Sequence, residues 1–289
     1  MIYLITVNYH SHQLIAQLLA SLPPPREIPY QFIIVNNSPE DPNIPQFHNN
    51  YITIIESGKN LGFGGGCNLG IDWVYQQNPQ AIIWLINPDT QLPPATLPRA
   101  VDFFSNHPEI SILGTVVQEP NGQIWFAGGQ FLPHTGAIIE QKTWTYPENL
   151  DYAICDWVTG CSLLINLAKF TTCPRFDEAY FLYYEDFDFC QRYGMQGHII
   201  AITSKLAVIH QPSAINGQNL YIKYKHSTYS YLLSLDRYAS SKIVVLLRWL
   251  RLGLNAIFLL AIKPAVARGK FAGIWAYQRT SDKGQGTND

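Results

Sequence analysis

The sequence predicts an α/β fold: a doubly wound, mostly parallel sheet followed by a C-terminal helical appendage. Three observations predict it. Short β-branched apolar runs alternate with longer amphipathic ones over the first 130 residues, the pattern of a parallel sheet wrapped by helices. Polar residues directly follow those runs, where open α/β sheets gather ligands beyond the strands' carboxyl ends. After His210 the pattern changes to long helical stretches and the charge reverses.

Taken in order, candidate strands are residues 2–7, 31–35, 52–55 and 81–86, with helices at 11–21 and 66–77. The Pro-rich stretches LPPP (22–25) and LPP (92–94) interrupt the periodicity. Residues 110–215 hold short apolar or aromatic segments with the glycine turns GGQ (128–130) and TGC (159–161). They read as a mixed sheet completing one domain, without an internal boundary. A helix is expected over 218–240, then another over KIVVLLRWLRLGLNAIFLLAIK (242–263), closed off by Pro264. The chain thus divides into a domain at 1–215 and a basic helical region at 216–289, whose Gly/Ser/Thr/Asp-rich end from Ser281 reads as frayed.

Composition bounds the function. With 47% hydrophobic and 14% charged residues among 289, the chain has a dense core and no room for extended disorder. The net charge of −2 conceals a split: residues 1–220 carry 8 basic and 18 acidic side chains, residues 221–289 carry 11 and 3. A basic tail suits an anionic membrane surface or a polyanion, and a solvated helical face packed on the body is the alternative. Five scattered cysteines without a C-x-x-C pair indicate neither a disulfide framework nor a zinc site. The opening MIYLITVNYH has neither the basic segment nor the long apolar stretch of a signal peptide, so a reducing cytosol is the expected location.

Four segments carry chemistry. In AIIWLINPDT (81–90) an apolar strand ends in Asn87-Pro88-Asp89. Asp89 can hold Mg²⁺ or Mn²⁺, because such cations take one or two protein oxygens together with substrate phosphate oxygens. A plain turn is the competing reading. In ESGKNLGFGGGCNLGI (56–71) glycines precede a helix starting near Gly66, which would let backbone N–H groups approach an anionic or sugar-bearing ligand. In FDEAYFLYYEDFDFCQR (176–192) Asp177, Glu178, Glu185, Asp186 and Asp188 lie among aromatic residues. A carboxylate in such surroundings, with Asp186 the candidate, can act as a general base; the alternative is an amphipathic helix whose acids face solvent, with Arg192 an ordinary helix partner. In KLAVIHQPSA (205–214) His210 ends a strand, placed to touch a phosphate or the metal, or else structural.

In this order and spacing, TVNYHS (6–11), IIVNNSPEDP (33–42), NLGFGGGCNLGI (60–71), LINPDT (85–90), VTGCSLLI (158–165), FDEAYFLYYEDFDFCQR (176–192) and VIHQPS (208–213) resemble the family 2 glycosyltransferases. The likeness is to the bacterial rhamnosyltransferase-like branch, which elongates cell-surface polysaccharides, and it covers roughly residues 2–215. The resemblance implies a GT-A fold, a nucleotide-sugar donor, a glycan or lipid-linked acceptor, and a metal bridging the donor diphosphate through Asn87 and Asp89. It implies inversion at the anomeric carbon, with Asp186 of the Glu185-Asp186 pair deprotonating the acceptor hydroxyl. Thr6, Asn8, Asn36, Asn60, Gly65 and Asn68 sit where the family binds nucleotide and donor sugar. Two departures stand out: Val35 or Asn36 occupies the usual position of an aspartate after the second strand, which bears on base recognition, and Asn87 replaces the first carboxylate of an Asp-x-Asp pair.

Arg248 and Arg251 lie three positions apart, on one side of a helix otherwise ringed by Leu, Ile, Val and Trp. Two arginines near its middle favour an interfacial helix on anionic lipid over a membrane span. The cytoplasmic face of the inner membrane is then the expected place of contact, with a helix docked on the body as the alternative. No nucleic-acid partner is expected. The rival function is a non-catalytic nucleotide-sugar or glycan-binding protein, supported by Val35 and Asn87 and opposed by Asp89 and the Glu185-Asp186 pair. A nucleotidyltransferase would carry a Gly-rich basic loop after the first strand, where VNYHSHQ (7–13) stands instead.

Overall fold

The computed structural model describes residues 1–147, 149–211 and 219–285, without the side chains of 281–285. The chain opens with β1 (Ile2–Asn8), α1 (His12–Ser21), β2 (Tyr30–Asn36), β3 (Ile52–Glu56), α2 (Gly62–Gln77) and β4 (Ile82–Ile86). It continues through β5 (Thr90–Gln91), α3 (Thr96–Asn106), β6 (Ile112–Gln118), β7 (Ile124–Phe126), β8 (Gly129–Leu132), β9 (Ala137–Glu140), β10 (Ala153–Ile154), β11 (Ser162–Asn166), α4 (Glu185–Met195) and β12 (Ile200–His210). Three helices complete it: α5 (Leu220–Tyr238), α6 (Lys242–Leu259) and α7 (Pro264–Gln285).

The main sheet has the order β10-β12-β6-β11-β4-β1-β2-β3. β4, β1, β2 and β3 are parallel, and β1 is buried along its whole length, as a strand covered on both faces must be. β11 runs antiparallel between β4 and β6, and β12 then pairs with β6 in parallel, so the sheet is mixed as the middle of the sequence suggests. Phe32, Ile34, Trp84, Leu113, Leu164 and Val208 belong to one buried cluster. The register sets Asn8 beside Asn36 where β1 and β2 end, so polar residues collect at one edge.

Two compact units divide the chain. One comprises Met1–Gln130, Ile139–Glu178 and Asp186–Asn216; the other comprises Phe131–Ile138, Ala179–Glu185 and Gly217–Asp289. The middle of the chain therefore contributes to both, contrary to the expectation of an unbroken domain. The division expected at 215/216, and Pro212 and Ser213 of the last matching segment, lie outside the described residues.

Three elements differ from the sequence reading for identifiable reasons. α2 begins at Gly62 and not at Gly66, so the glycines form its first turns. α3 appears where proline was read only as a breaker, because Pro98 occupies the third helical position, where the missing N–H has no partner to lose. α6 ends at Leu259, short of the expected residue 263, and Pro264 opens α7, which suits its fixed φ. α7 then runs past Ser281 to Gln285, where a frayed end was expected.

Glycine also sets the distance between α2 and the sheet. A Cβ at Gly66 would stand 2.8 Å from Val7 Cγ1, and one at Gly70 would stand 2.6 Å from Ile5 Cγ2. These two glycines thus let the helix lie on β1, a packing role where ligand approach was expected. In the helical unit, Gly269 and Gly273 do the same: added Cβ atoms would meet Tyr221 O at 2.6 Å and Lys225 O at 2.5 Å, so α7 lies directly on α5.

Gly70→Ala gains about 1 kcal/mol of helix propensity but overpacks a stiff β-branched neighbour at a cost of about 1–3 kcal/mol. The urea midpoint is expected to fall with an unchanged m-value; a rise would show that Ile5 yields freely.

Candidate active site

The ends of β1, β2 and β3 are joined by side-chain amides. Asn8 Nδ2 donates to Asn36 Oδ1 at 2.9 Å and to Ser38 Oγ at 3.2 Å, while Asn8 Oδ1 accepts from Ser11 N at 2.9 Å. Asn36 Nδ2 donates to both carboxylate oxygens of Glu56, at 3.1 and 2.9 Å. Asn8 and Asn36 are thus fully buried and mutually ordered, and Glu56, which the sequence reading passed over, anchors the chain of amides. Thr6 is equally buried, yet its hydroxyl has no hydrogen-bond partner, which is uncommon enough to mark a position where a bound group can complete the set.

Asn60 shapes the approach to α2. Its Oδ1 accepts from Gly62 N at 2.9 Å, and Asn37 bridges the same loop by donating to Gly62 O at 2.8 Å. Gly65 is buried in the first turns of the helix. Asn68 faces elsewhere: its amide pairs with the backbone of Phe176, donating to the carbonyl at 3.0 Å and accepting from the N–H at 2.7 Å.

Asp89 follows β4, and β5 pairs antiparallel with the end of β12, setting Thr90 opposite His210. Gln211 N donates to Asp89 O at 2.9 Å. These bonds bring His210 Nε2 to 3.2 Å from Asp89 Oδ2, both side chains being almost wholly buried. Asp89 Oδ1 and His210 Nδ1 have no partner. Trp125 covers the imidazole edge-on, with ring centroids 4.6 Å apart. The buried, unsatisfied Asp89 Oδ1, with His210 Nε2 beside the other oxygen, fits a divalent cation that takes its remaining ligands from phosphate and water. Among the described residues no group of three or more His, Cys, Asp or Glu side chains forms a cage. The fit is therefore to an ion shared with a ligand.

The turn before β11 ties this edge to α4. Asn87 N donates to Cys161 O at 3.0 Å, and Gly160 N donates to Asp186 Oδ2 at 2.9 Å. Phe187 N supplies the other carboxylate oxygen at 2.8 Å. Burial raises the pKa of Asp186 above the usual carboxylate range, the Gly160 and Phe187 amides counteract it, and the charge of Glu140 adds to the rise. Cys161 lies between the two aspartates: burial first, then the charges of Asp89 and Asp186, push its thiol well above the ordinary value. The turn therefore brings Asp89 and Asp186 to one buried locality. Gly160 and Cys161 escaped the list of candidates, although a glycine in the turn entering a strand was a visible signal.

Glu185, the first residue of α4, is buried. The two residues before it, Tyr183 and Tyr184, both adopt left-handed backbone at φ 69° and 64°, each costing roughly 1–2 kcal/mol. Asp188 does not face solvent, as the alternative reading of this helix had it: it is fully buried, and Arg192 Nε donates to it at 2.7 Å. Arg192 also donates to Arg175 O at 2.7 Å, so the pair clamps α4 to the segment preceding it.

Known proteins share the sequence pattern and the fold. The family model for glycosyl transferase family 2 matches residues 3–159. The chain is 25% identical over 238 residues to an N-acetylglucosaminyl-diphospho-decaprenol L-rhamnosyltransferase of Mycobacterium tuberculosis, covering 74% of this chain and 77% of the relative. It is also 25% identical over 222 residues to the rhamnosyltransferase WbbL of Escherichia coli, covering 73% and 83%. The mannosyltransferase PcManGT from Pyrobaculum calidifontis, solved with GDP-Man and Mn²⁺, shares the fold at a TM-score of 0.55 and 12% identity, covering 98% of this chain and 87% of that one.

Asp188→Asn leaves the half-buried Arg192 without its counter-charge. Removing one partner of a buried pair costs about 3–5 kcal/mol, and partial solvation of Arg192 puts the expected loss at the lower end, read as a drop in Tm. A Tm within a degree of wild type would contradict the clamp.

Proposed function

Because the chain belongs to glycosyl transferase family 2 and carries the GT-A fold, we propose that it is a metal-dependent, inverting glycosyltransferase. In this reading it moves a sugar, rhamnose on the likeness to two rhamnosyltransferases, from a nucleotide-sugar to a lipid-linked glycan. Family membership makes it a sugar transferase of glycan biosynthesis; the donor, acceptor and stereochemistry are the proposal. The observation that carries it is the pairing, through the Gly160-Cys161 turn, of an aspartate with an unsatisfied oxygen and an aspartate of raised pKa.

Asp89 and His210 would hold the Mg²⁺ or Mn²⁺, with Asn87 beside them. When bound, the ion supplies positive charge to the leaving diphosphate. Thr6, Asn8, Asn36 and Asn60 would orient nucleotide and sugar from the strand ends, with Gly65 behind them. Asp186 takes the proton of the acceptor hydroxyl as its oxygen bonds to the anomeric carbon, while the bond from that carbon to the diphosphate breaks on the opposite face. Gly160 and Phe187 hold the carboxylate still, and burial raises its basicity. Glu185 would fix the start of α4 from the preceding residue.

The helical unit supports peripheral membrane contact. Ile243, Leu246, Leu247, Leu250, Leu254, Ile257 and Phe258 of α6 are all exposed, and their spacing gathers them on one helical stripe. Among the described residues no helix is long and apolar enough to cross a membrane. An apolar stripe on a basic unit is the pattern of a helix lying in an anionic lipid interface.

Two measurements follow. A nucleotide-sugar panel, scored for binding and slow hydrolysis with Mg²⁺, with Mn²⁺ and with EDTA, should select one metal-dependent donor. Asp89→Ala should lose that donor; Asp186→Asn should bind it but turn over about 10²–10⁴-fold more slowly. Because the base acts deprotonated and its pKa is raised, wild-type kcat/KM should fall as pH drops through a value above about 3.9. Variants that behave like wild type would leave a binding protein in place of an enzyme. Separately, the full-length protein should sediment with phosphatidylglycerol vesicles, and Leu254→Glu with Phe258→Glu should release it; equal sedimentation would remove the membrane from the proposal.

A further inference from the structure

The helical unit contains a cavity of about 410 Å³, bounded by Tyr184, Tyr224, Tyr231, Arg248, Arg251 and Lys270, with Ser227, Thr228, Leu252 and Asn255 between them. That volume lies in the range of small-molecule sites. Its charge is one-sided: three cations line it and no carboxylate does. Among the described residues no carboxylate pairs with these cations. Arg248 Nε donates to Thr135 O at 2.6 Å and Lys270 Nζ to Asn255 Oδ1 at 2.5 Å, both neutral acceptors. Among the described residues Arg251 makes neither a hydrogen bond nor an ion pair.

Local electrostatics point the same way. Burial lowers the pKa of Lys270 with no acid to offset it. Burial raises the pKa of Tyr231, while Arg248 and Arg251 pull it down, so both guanidinium groups stand near that hydroxyl. Cations gathered without a counter-charge are costly unless an anion completes the site. Two guanidinium forks and an ammonium, with hydroxyl donors around them, suit phosphate oxygens.

The position of the cavity on α6 narrows the anion. Arg248, Leu252 and Asn255 recur at helical spacing on the cavity side, and the exposed apolar stripe runs along the adjoining side of the same helix, with Arg251 at the border. One element thus offers cations to an anionic head and apolar side chains to a lipid. Tyr184 also belongs to the cavity wall and precedes Glu185-Asp186 in the chain.

We propose that this cavity binds the diphosphate of a prenyl-diphosphate-linked acceptor. The inference rests on the transferase reading and adds to it the place at which the acceptor's diphosphate is held. A diphosphate diester carries two negative charges, which three cations can neutralise, and the prenyl chain leaves along the apolar side of α6.

The test titrates farnesyl diphosphate into the full-length protein by calorimetry in EDTA, which suppresses metal-dependent diphosphate binding at the donor site. Wild type should bind, inorganic pyrophosphate should compete, and Arg251→Gln and Lys270→Gln should each weaken binding by about tenfold or more. The charge-preserving Arg251→Lys should stay within a few-fold of wild type, which separates loss of charge from loss of fold. No binding by wild type, equal binding by the Gln variants, or loss only in Asp89→Ala would overturn the proposal. So would displacement by glycerol phosphate at lower concentration than pyrophosphate, which would mark a phospholipid headgroup site. Metal-dependent donor hydrolysis on the same preparations reports on the transferase reading separately: if it persists while farnesyl diphosphate fails to bind, the cavity proposal alone falls.

Discussion

The amide of Gly160 reaches Asp186, and the carbonyl of the next residue receives the amide of Asn87, so neighbouring peptide groups join a strand end to a helix start. Without this turn the end of β4 and the first turn of α4 would share no hydrogen bond through β11. A glycine is required for steric reasons, since a Cβ at position 160 would stand 2.7 Å from the ring of Phe63. The antiparallel insertion of β11 between β4 and β6 delivers the turn to that place. The fold's one departure from parallel order at the centre of the sheet thus creates the meeting of the two aspartates.

Those aspartates are set in opposite environments. Asp89 shares one oxygen with His210 and keeps the other unsatisfied, which suits a carboxylate that binds a cation. Asp186 has an N–H on each oxygen and a burial-raised pKa, which suits one that accepts a proton. These unlike surroundings suit the two different roles proposed for them. Cys161 between them is kept protonated by burial first and by their charges second, so it contributes bulk and a dry wall without competing as a nucleophile.

Much of the sheet was legible because parallel strands buried on both faces must be largely apolar, and residues 2–7, 31–35, 52–55 and 81–86 are, Thr6, Gln31 and Thr53 excepted. Asp89, Asp186 and His210 were legible because each ends or begins such an element. What was hidden depended on partners far along the chain. Glu56 looked like the start of a glycine loop, and its bond to Asn36 exists only once β2 and β3 align. Asp188 looked exposed because helical periodicity does not reveal that Arg192 folds over it and bonds to Arg175 O. Asn68 read as a ligand contact, while its amide pairs with a backbone 108 residues away. α7 was obscured because Pro264 reads as the end of one helix, while its fixed φ suits the first turn of the next.

The reversal of charge after Leu220 acquires a physical sense in α6. Repulsion among Arg248, Arg251 and Lys270 would favour dispersing them over the surface, yet they converge on one cavity. The apolar residues of α6 are likewise left in water where a soluble helix would cover them. Either arrangement alone would be a local cost to stability. Together, on adjoining sides of one helix, the two costs fall if a single ligand has an anionic head and an apolar tail. A polyanion would relieve only the cations, and an uncharged apolar partner only the stripe. An amphipathic diphosphate meets both conditions, and that coincidence, more than the net charge, connects the helical unit to the transfer proposed for the sheet.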